Sequence, residues 1–222
     1  MDWFPLWLSL RVAASATVIA AIVGIALAYV LAKGRFPGRG LLEAVASVPI
    51  VLPPTVLGYY LLVTLGARSP IGRTWESVFG HPLVFTQTAA VIAASASAMP
   101  FVLRTARAAI EAVDPRFEQA ARTIGLPEWR VAAQVTIPLA GRGLIAGVAL
   151  GFARALGDFG VTVMLAGNIP GRTQTMPIAV YDAVQAGNDH RASVLSAVLA
   201  GIAVVVLVAV NRLSRIPNAG HR

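Results

Sequence analysis

Cysteine is absent from the 222 residues. Disulfides, Cys-based zinc sites and thiol chemistry are therefore excluded. Lysine occurs once, at Lys33, with Gly34-Arg35 after it. A Walker loop needs a Lys followed by Ser or Thr to cradle phosphate, so the chain carries no such ATPase site. Histidine is limited to His81, His190 and His221, scattered outside the apolar runs, which speaks against a metal centre. No Gly-x-Ser-x-Gly nucleophile elbow is present, and nothing else points to an enzyme. Charge is scarce too. Asp, Glu, Lys and Arg make up 13% of the chain, about half the usual share. Exchanging Tyr for Gly in the hydrophobic set gives an apolar share of roughly 64%, against about 45–50% in soluble domains. A soluble fold of this size could not cover its surface with so few charges. The net charge of +8 would suggest nucleic acid in a soluble protein. In a membrane protein it more often records which loops face the cytoplasm, and no nucleic-acid partner is expected.

About 20 apolar residues are needed to cross a bilayer as a helix. Five stretches qualify, at about 12–32, 44–67, 82–103, 143–167 and 192–211. The fourth is interrupted only by Arg154 and Asp158. The expectation is an all-α integral membrane protein, one transmembrane domain over 1–222. The first run exceeds the 7–15 residues of a cleavable signal core, so it reads as an uncleaved anchor.

Lys and Arg in alternate loops set the orientation. Segments 33–43, 104–142 and 212–222 hold twelve, and the opposite set holds five. The N-terminus is expected outside and the C-terminus inside, as an odd number of spans requires.

Helices in lipid associate through small residues that let backbones approach. Ala16, Ala20, Gly24 and Ala28 form one such stripe, Gly143, Gly147, Gly151 and Ala155 a second, and Ser193, Ala197 and Gly201 a third. Any of them could face the bundle or a second subunit. The second span carries Pro49, Pro53, Pro54 and Gly58. Proline removes a backbone donor and crowds the preceding turn. A kinked helix beside a permeation path and a helix bent around its neighbours are both open. Pro100 in the third span is a weaker case of the same kind.

The segment 104–142 is the largest inside loop. Asp114-Pro115 is an N-cap followed by Pro at the first helical position. Gly125 is a left-handed stop. Pro127 opens a second short helix, expected over 128–136, and Pro138 precedes the fourth span.

Here the residues resemble a family. Gln119-Ala120-Ala121, three residues, Gly125, nine residues, then Val135-Thr136-Ile137-Pro138 is similar to the Glu-Ala-Ala signature of ABC-importer permeases. Gln119 stands where that family has Glu, with Glu118 one residue earlier, so either could make the polar contact. Ala153-Arg154-Ala155-Leu156-Gly157-Asp158-Phe159-Gly160 resembles an oxyanion-permease segment with Asp for Glu. Leu52-Pro53-Pro54-Thr55-Val56-Leu57-Gly58-Tyr59 and Asn168-Ile169-Pro170-Gly171-Arg172-Thr173 resemble the molybdate branch.

The resemblance implies a MetI-like permease fold in the bacterial cytoplasmic membrane, importing molybdate or a related oxyanion such as sulfate or tungstate. It implies a homodimer, two ATP-binding cassette subunits that hold ATP-Mg, and an external substrate-binding protein. No cofactor is implied for this chain. It implies that Glu118, Gln119, Ala120, Ala121, Gly125, Val135, Ile137 and Pro138 form the ATPase-coupling loop. Pro53, Pro54, Arg154, Asp158, Phe159 and Gly160 are candidates for the path or gate. Arg154 and Asp158 are four residues apart, hence on one helical face. They form either an oxyanion-attracting site or a structural ion pair. Pro177 is expected to open a short helix with Ile178, Tyr181 and Val184 on one side, as a re-entrant element or an interfacial loop. A secondary transporter and a membrane scaffold are the remaining alternatives.

Overall fold

The computed structural model describes residues 2–34 and 36–215, with the side chains of 210, 211 and 213–215 left aside. Arg35, Arg222 and the side chain of Arg215, counted above for orientation, lie outside the described residues. The described chain is helical and contains no strand. The helices are α1 (Phe4–Lys33), α2 (Arg39–Val51), α3 (Pro54–Leu65), α4 (Pro70–Phe79), α5 (Gln87–Glu111) and α6 (Pro115–Thr123). They continue as α7 (Glu128–Val131), α8 (Ile137–Leu156), α9 (Gly160–Ala166), α10 (Met176–Gln185) and α11 (Asp189–Arg215).

Four helices are long and apolar enough to cross a membrane, and α2 with α3 can make a fifth, bent by 115°. The bend has a local cause. Leu52 and Pro53 each precede a proline, which disfavours helical backbone, and both are extended (ψ 139° and 137°). Pro49 and Pro100 stay inside α2 and α5 without ending them.

α1, α5 and α8 build the centre. Their contact is made of small residues, so the axes come close. Ala16, Ala20, Gly24 and Ala28 of α1 are all buried. They face a run of buried alanines on α5, including Ala89, Ala93 and Ala98. On α8, a Cβ added to Gly151 would lie 2.5 Å from Val102 Cγ2, and one on Gly143 would collide with Ala109. Two of the three stripes thus serve the bundle. Ser193, Ala197 and Gly201 of α11 are exposed instead.

Three elements differ from the sequence expectation. The run 143–167 is not one helix. It breaks over 157–159 and resumes as α9. The short helix expected at 128–136 is not separate either. It passes through a π-helical turn, Ala132–Thr136, straight into α8. Pro138 lies just after this π turn, inside the continuous helix, where it removes one backbone donor. Finally, α4 is a helix in the segment between the second and third apolar runs, for which no element was expected. Ser69 caps it by accepting from Gly72 N–H, and Gly80 ends it at φ 73°.

α10 lies against α1 and α11. Its first N–H, that of Met176, donates to Ser9 Oγ at 2.7 Å. Met176, Ile178, Ala179 and Ala183 are buried, while Tyr181 and Val184 are exposed. The expected face of Ile178, Tyr181 and Val184 is therefore split. The buried face is set by the small residues Ala179 and Ala183, which allow close approach.

Candidate functional site

Two places collect the sequence-predicted residues. The first is at the end of the bundle where Lys33, Arg39, Arg107 and Arg122 make ion pairs. Asp114 Oδ1 accepts from Arg116 N–H and starts α6. Gly125 ends it at φ 84°, with open space around it. A β-branched residue is strained at that φ.

α6 has an inner and an outer face. Glu118 and Ala121 are its buried residues. Glu118 is 3% exposed. Its Oε1 lies 2.8 Å from Lys33 Nζ and accepts from Thr136 Oγ1 at 2.8 Å. Its Oε2 is 3.9 Å from Arg122 Nη2. Arg122 also grips Glu128 with two hydrogen bonds, of 2.6 and 3.1 Å. That carboxylate holds the Arg122 guanidinium above its ordinary range. Of the two candidates for the polar contact, Glu118 points into the protein and Gln119 points out.

Phe117, Gln119 and Ala120 of α6 are exposed, as are Ile124 just after it and Trp129 of α7. Ile124 is 77% exposed and Trp129 66%. Val135 is half-buried, and Ile137 and Pro138 are exposed. The result is a mixed surface, apolar and small residues among exposed Arg116, Arg122 and Thr123, on an elbow whose back is fixed by ion pairs. Exposed aromatic and aliphatic anchors around small residues suit protein docking.

The second place is near the middle of α5. Asp158, 2% exposed, fills the break between α8 and α9. Oδ1 meets Arg154 Nη1 at 3.0 Å and accepts from Ser97 Oγ at 2.9 Å. Oδ2 accepts from Thr162 N–H at 3.0 Å and Thr162 Oγ1 at 2.6 Å. The carboxylate thus satisfies the start of α9 and ties it to α5. Four donors on two oxygens are the condition under which a buried charge is tolerated. Ser97 and Thr162 were not singled out in the sequence, although Gly157-Asp158 is a helix-start signal.

The two breaks meet. A Cβ on Gly160 would sit 2.7 Å from Pro54 Cβ, and one on Gly58 would sit 2.6 Å from Met164 Cβ. So α3 and α9 pack on each other, α9 from a buried start at Gly160 and α3 through its buried Leu57 and Gly58. Pro53 and Pro54 are exposed, and Arg154 is half-buried. Phe159 packs on Tyr181 with ring centroids 5.1 Å apart. Both rings line an open apolar cavity of about 620 Å3 with Pro177 and Leu199. Among the described residues no group of three His, Asp or Glu is placed to hold a metal ion.

A polytopic helical bundle with an exposed helical elbow at its basic end has the fold of an ABC-importer permease. The chain superposes on a chain of the MetNI methionine ABC transporter in an inward-facing conformation, with a TM-score of 0.73 over 97% of this chain and 98% of that one, at 15% identity. An amino acid ABC transporter structure gives 0.63 over 93% and 89%, at 19% identity. Residues 18–216 match the family of binding-protein-dependent transport system inner membrane components, and the protein belongs to that family. It is a transport component and a multi-pass membrane protein. It is 41% identical to the molybdenum transport system permease ModB of Escherichia coli K12, over 97% of this chain and 94% of that protein. It is 42% identical to the putative molybdenum permease YvgM of Bacillus subtilis, over 83% and 82%. The sulfate permease CysT of Escherichia coli K12 is 31% identical, over 89% and 71%.

Proposed function

We propose that this chain is the membrane subunit of an ATP-driven importer that carries molybdate into the cytoplasm. The observation that carries the reading is the division of α6 into a buried charged face and an exposed docking face. A secondary transporter or scaffold has no use for such a surface. The substrate follows from likeness to molybdenum permeases at 41–42% identity over most of both chains. Sulfate is the second reading, supported by the lower likeness to CysT.

The chain works as a two-fold dimer, the commonest closed assembly. Two copies set two α6 surfaces against two ATP-binding subunits, where ATP-Mg is held. Phe117, Gln119, Ala120, Ile124 and Trp129 enter the ATPase groove, and Gly125 shapes the turn that follows. The basic end lies in the cytoplasm, and the exposed Trp3 and Trp7 sit at the opposite interface, where such rings collect. A soluble binding protein delivers the oxyanion there. ATP binding draws the α6 pair together and turns the path outward, and hydrolysis resets it.

The path runs beside the paired breaks. Half-helix starts inside a membrane bundle present positive dipole ends to anions. Arg154 adds charge. Its partner Asp158 is already saturated by Ser97 and Thr162, so Arg154 keeps donors for an oxyanion. Pro53 and Pro54 hold the start of α3 open, and Gly160 keeps α9 against it. Phe159 is placed to gate.

The test is uptake of labelled molybdate by proteoliposomes containing this chain and its ATPase subunit, with the binding protein supplied outside. ATP-dependent uptake resisted by excess molybdate and not by excess sulfate is expected. Preference for sulfate moves the substrate to the second reading. Uptake without ATP refutes the importer.

A further inference from the structure

We propose that Lys33, Glu118 and Thr136 form the latch through which movement of α6 is passed to α1 and α8, and that Lys33 and Glu118 are positioning residues for transport. The inference rests on the reading of α6 as the ATPase-docking helix. It adds how a push on that helix reaches the membrane spans.

α6 has nine residues. A helix so short has little stability of its own and moves as its attachments dictate. Its apolar side chains attach it only weakly. Phe117 is half in solvent at the rim of an open cavity with Val113 and Leu139, Ile124 just after the helix is exposed, and Ala121 alone is a buried apolar residue of the helix. The attachment is the Glu118 carboxylate. One oxygen takes both Lys33 Nζ and Thr136 Oγ1 at 2.8 Å.

Those two partners lie at the ends of α1 and α8, two of the helices that reach this surface beside α2 and α5. Lys33 is the last residue of α1, a helix of 30 residues and hence about 45 Å long. Thr136, fully buried, closes the π turn at the head of α8. π turns are register defects often found where a helix must adjust. Glu118 therefore bridges a short mobile element, a full-length rod and an adjustable helix head. Arg122, joined to Glu128 of α7, adds a second tie on the same side. The ammonium is a point charge on a flexible stem. It can follow a rotating carboxylate where a bidentate Arg would resist. This accounts for the placement of the chain's single Lys.

The test uses the full complex in proteoliposomes, measuring molybdate moved per ATP hydrolysed. Lys33→Met should leave basal hydrolysis and co-purification with the ATPase subunit unchanged. Transport per ATP should fall by at least about fivefold, the low end of coupling between linked sites. Glu118→Gln should lower the ratio likewise. The chain has no cysteine, so Lys33→Cys with Glu118→Cys gives one addressable pair. That double variant should be uncoupled when reduced and recoupled when joined by a short bis-thiol linker. Recoupling separates a transmitted movement from local stability, and it decides the matter even where a single variant assembles poorly. Wild-type coupling in Lys33→Met and Glu118→Gln would overturn the latch, as would a linker that restores assembly without restoring coupling. A wild-type complex that hydrolyses ATP without any transport would instead overturn the importer reading itself.

Discussion

Asp158→Ala is the sharpest perturbation of the bundle interior. The carboxylate is buried and meets four donors: Arg154 Nη1, Ser97 Oγ, Thr162 N–H and Thr162 Oγ1. Removing it leaves the Arg154 charge without its partner and the start of α9 without its cap. Breaking a buried pair by deleting one member costs about 3–5 kcal/mol. The half-exposure of Arg154 lets it reach solvent or headgroups, which lowers that part. The lost cap adds about 1 kcal/mol. The Ser97 hydroxyl can turn to its own helix carbonyls, so it adds little. The net expectation is about 3–4 kcal/mol, drawn from the same ranges. Asp158→Asn keeps the volume but turns one acceptor into a donor facing donors, and should cost about half as much. The assay is thermal unfolding of the purified complex in detergent, followed by intrinsic tryptophan fluorescence. Asp158→Ala should melt well below wild type, with Asp158→Asn between. Equal melting of all three would refute the reading of Asp158 as the structural tie between α5 and α9.

Arg154→Ala separates path from packing. The buried Asp158 carboxylate is then left on the neutral donors of Ser97 and Thr162, so the subunit should melt lower yet still assemble, while uptake per assembled complex falls by about tenfold or more, the effect of about 1.4 kcal/mol. Full uptake with normal assembly would remove Arg154 from the path. Gly125→Val places a β-branched residue at φ 84°, which costs about 1–2 kcal/mol and distorts the turn after α6. ATP hydrolysis should continue with little transport, and unchanged uptake would contradict this. Gly151→Leu drives side-chain atoms into Val102, whose Cγ2 would already be 2.5 Å from an added Cβ. Overpacking should cost about 1–3 kcal/mol, read as a lowered melting temperature.

Much of the architecture is legible in residue types. Apolar runs mark the spans because lipid tolerates few charges. Two of the three small-residue stripes mark the close contact of α1, α5 and α8. Two consecutive prolines mark the break at Leu52-Pro53, though not its 115° angle, which depends on α3 packing against α9.

Other features needed the third dimension. The break in the fourth run was hidden because its cap, Asp158, lies four residues from Arg154 and reads first as a helical ion pair. The ion pair forms, at 3.0 Å, but Asp158 lies past the end of α8, so the two residues do not share one helical face, and hydropathy alone does not see the cap. The inward role of Glu118 was hidden by the usual periodicity argument. In α6 the apolar Phe117 stays more than half exposed, as does Ile124 just after it, while a carboxylate is buried. A helix that docks on a partner inverts the ordinary rule. The partner of Glu118, Lys33, lies 85 positions earlier, beyond any local pattern. α4 carried its signals openly in Ser69-Pro70 and Gly80, but a ten-residue amphipathic helix is masked when only long apolar runs are sought.

The central claim is that this chain moves molybdate only when a separate ATPase engages α6. It is tested most directly by labelled molybdate uptake into proteoliposomes, with the ATPase subunit present or omitted and the binding protein supplied outside. The account predicts uptake that requires ATP and the ATPase subunit and is abolished when Ile124 and Trp129 are both replaced by Asp. Uptake that persists without the ATPase subunit, or that follows an ion gradient instead of ATP, would contradict it.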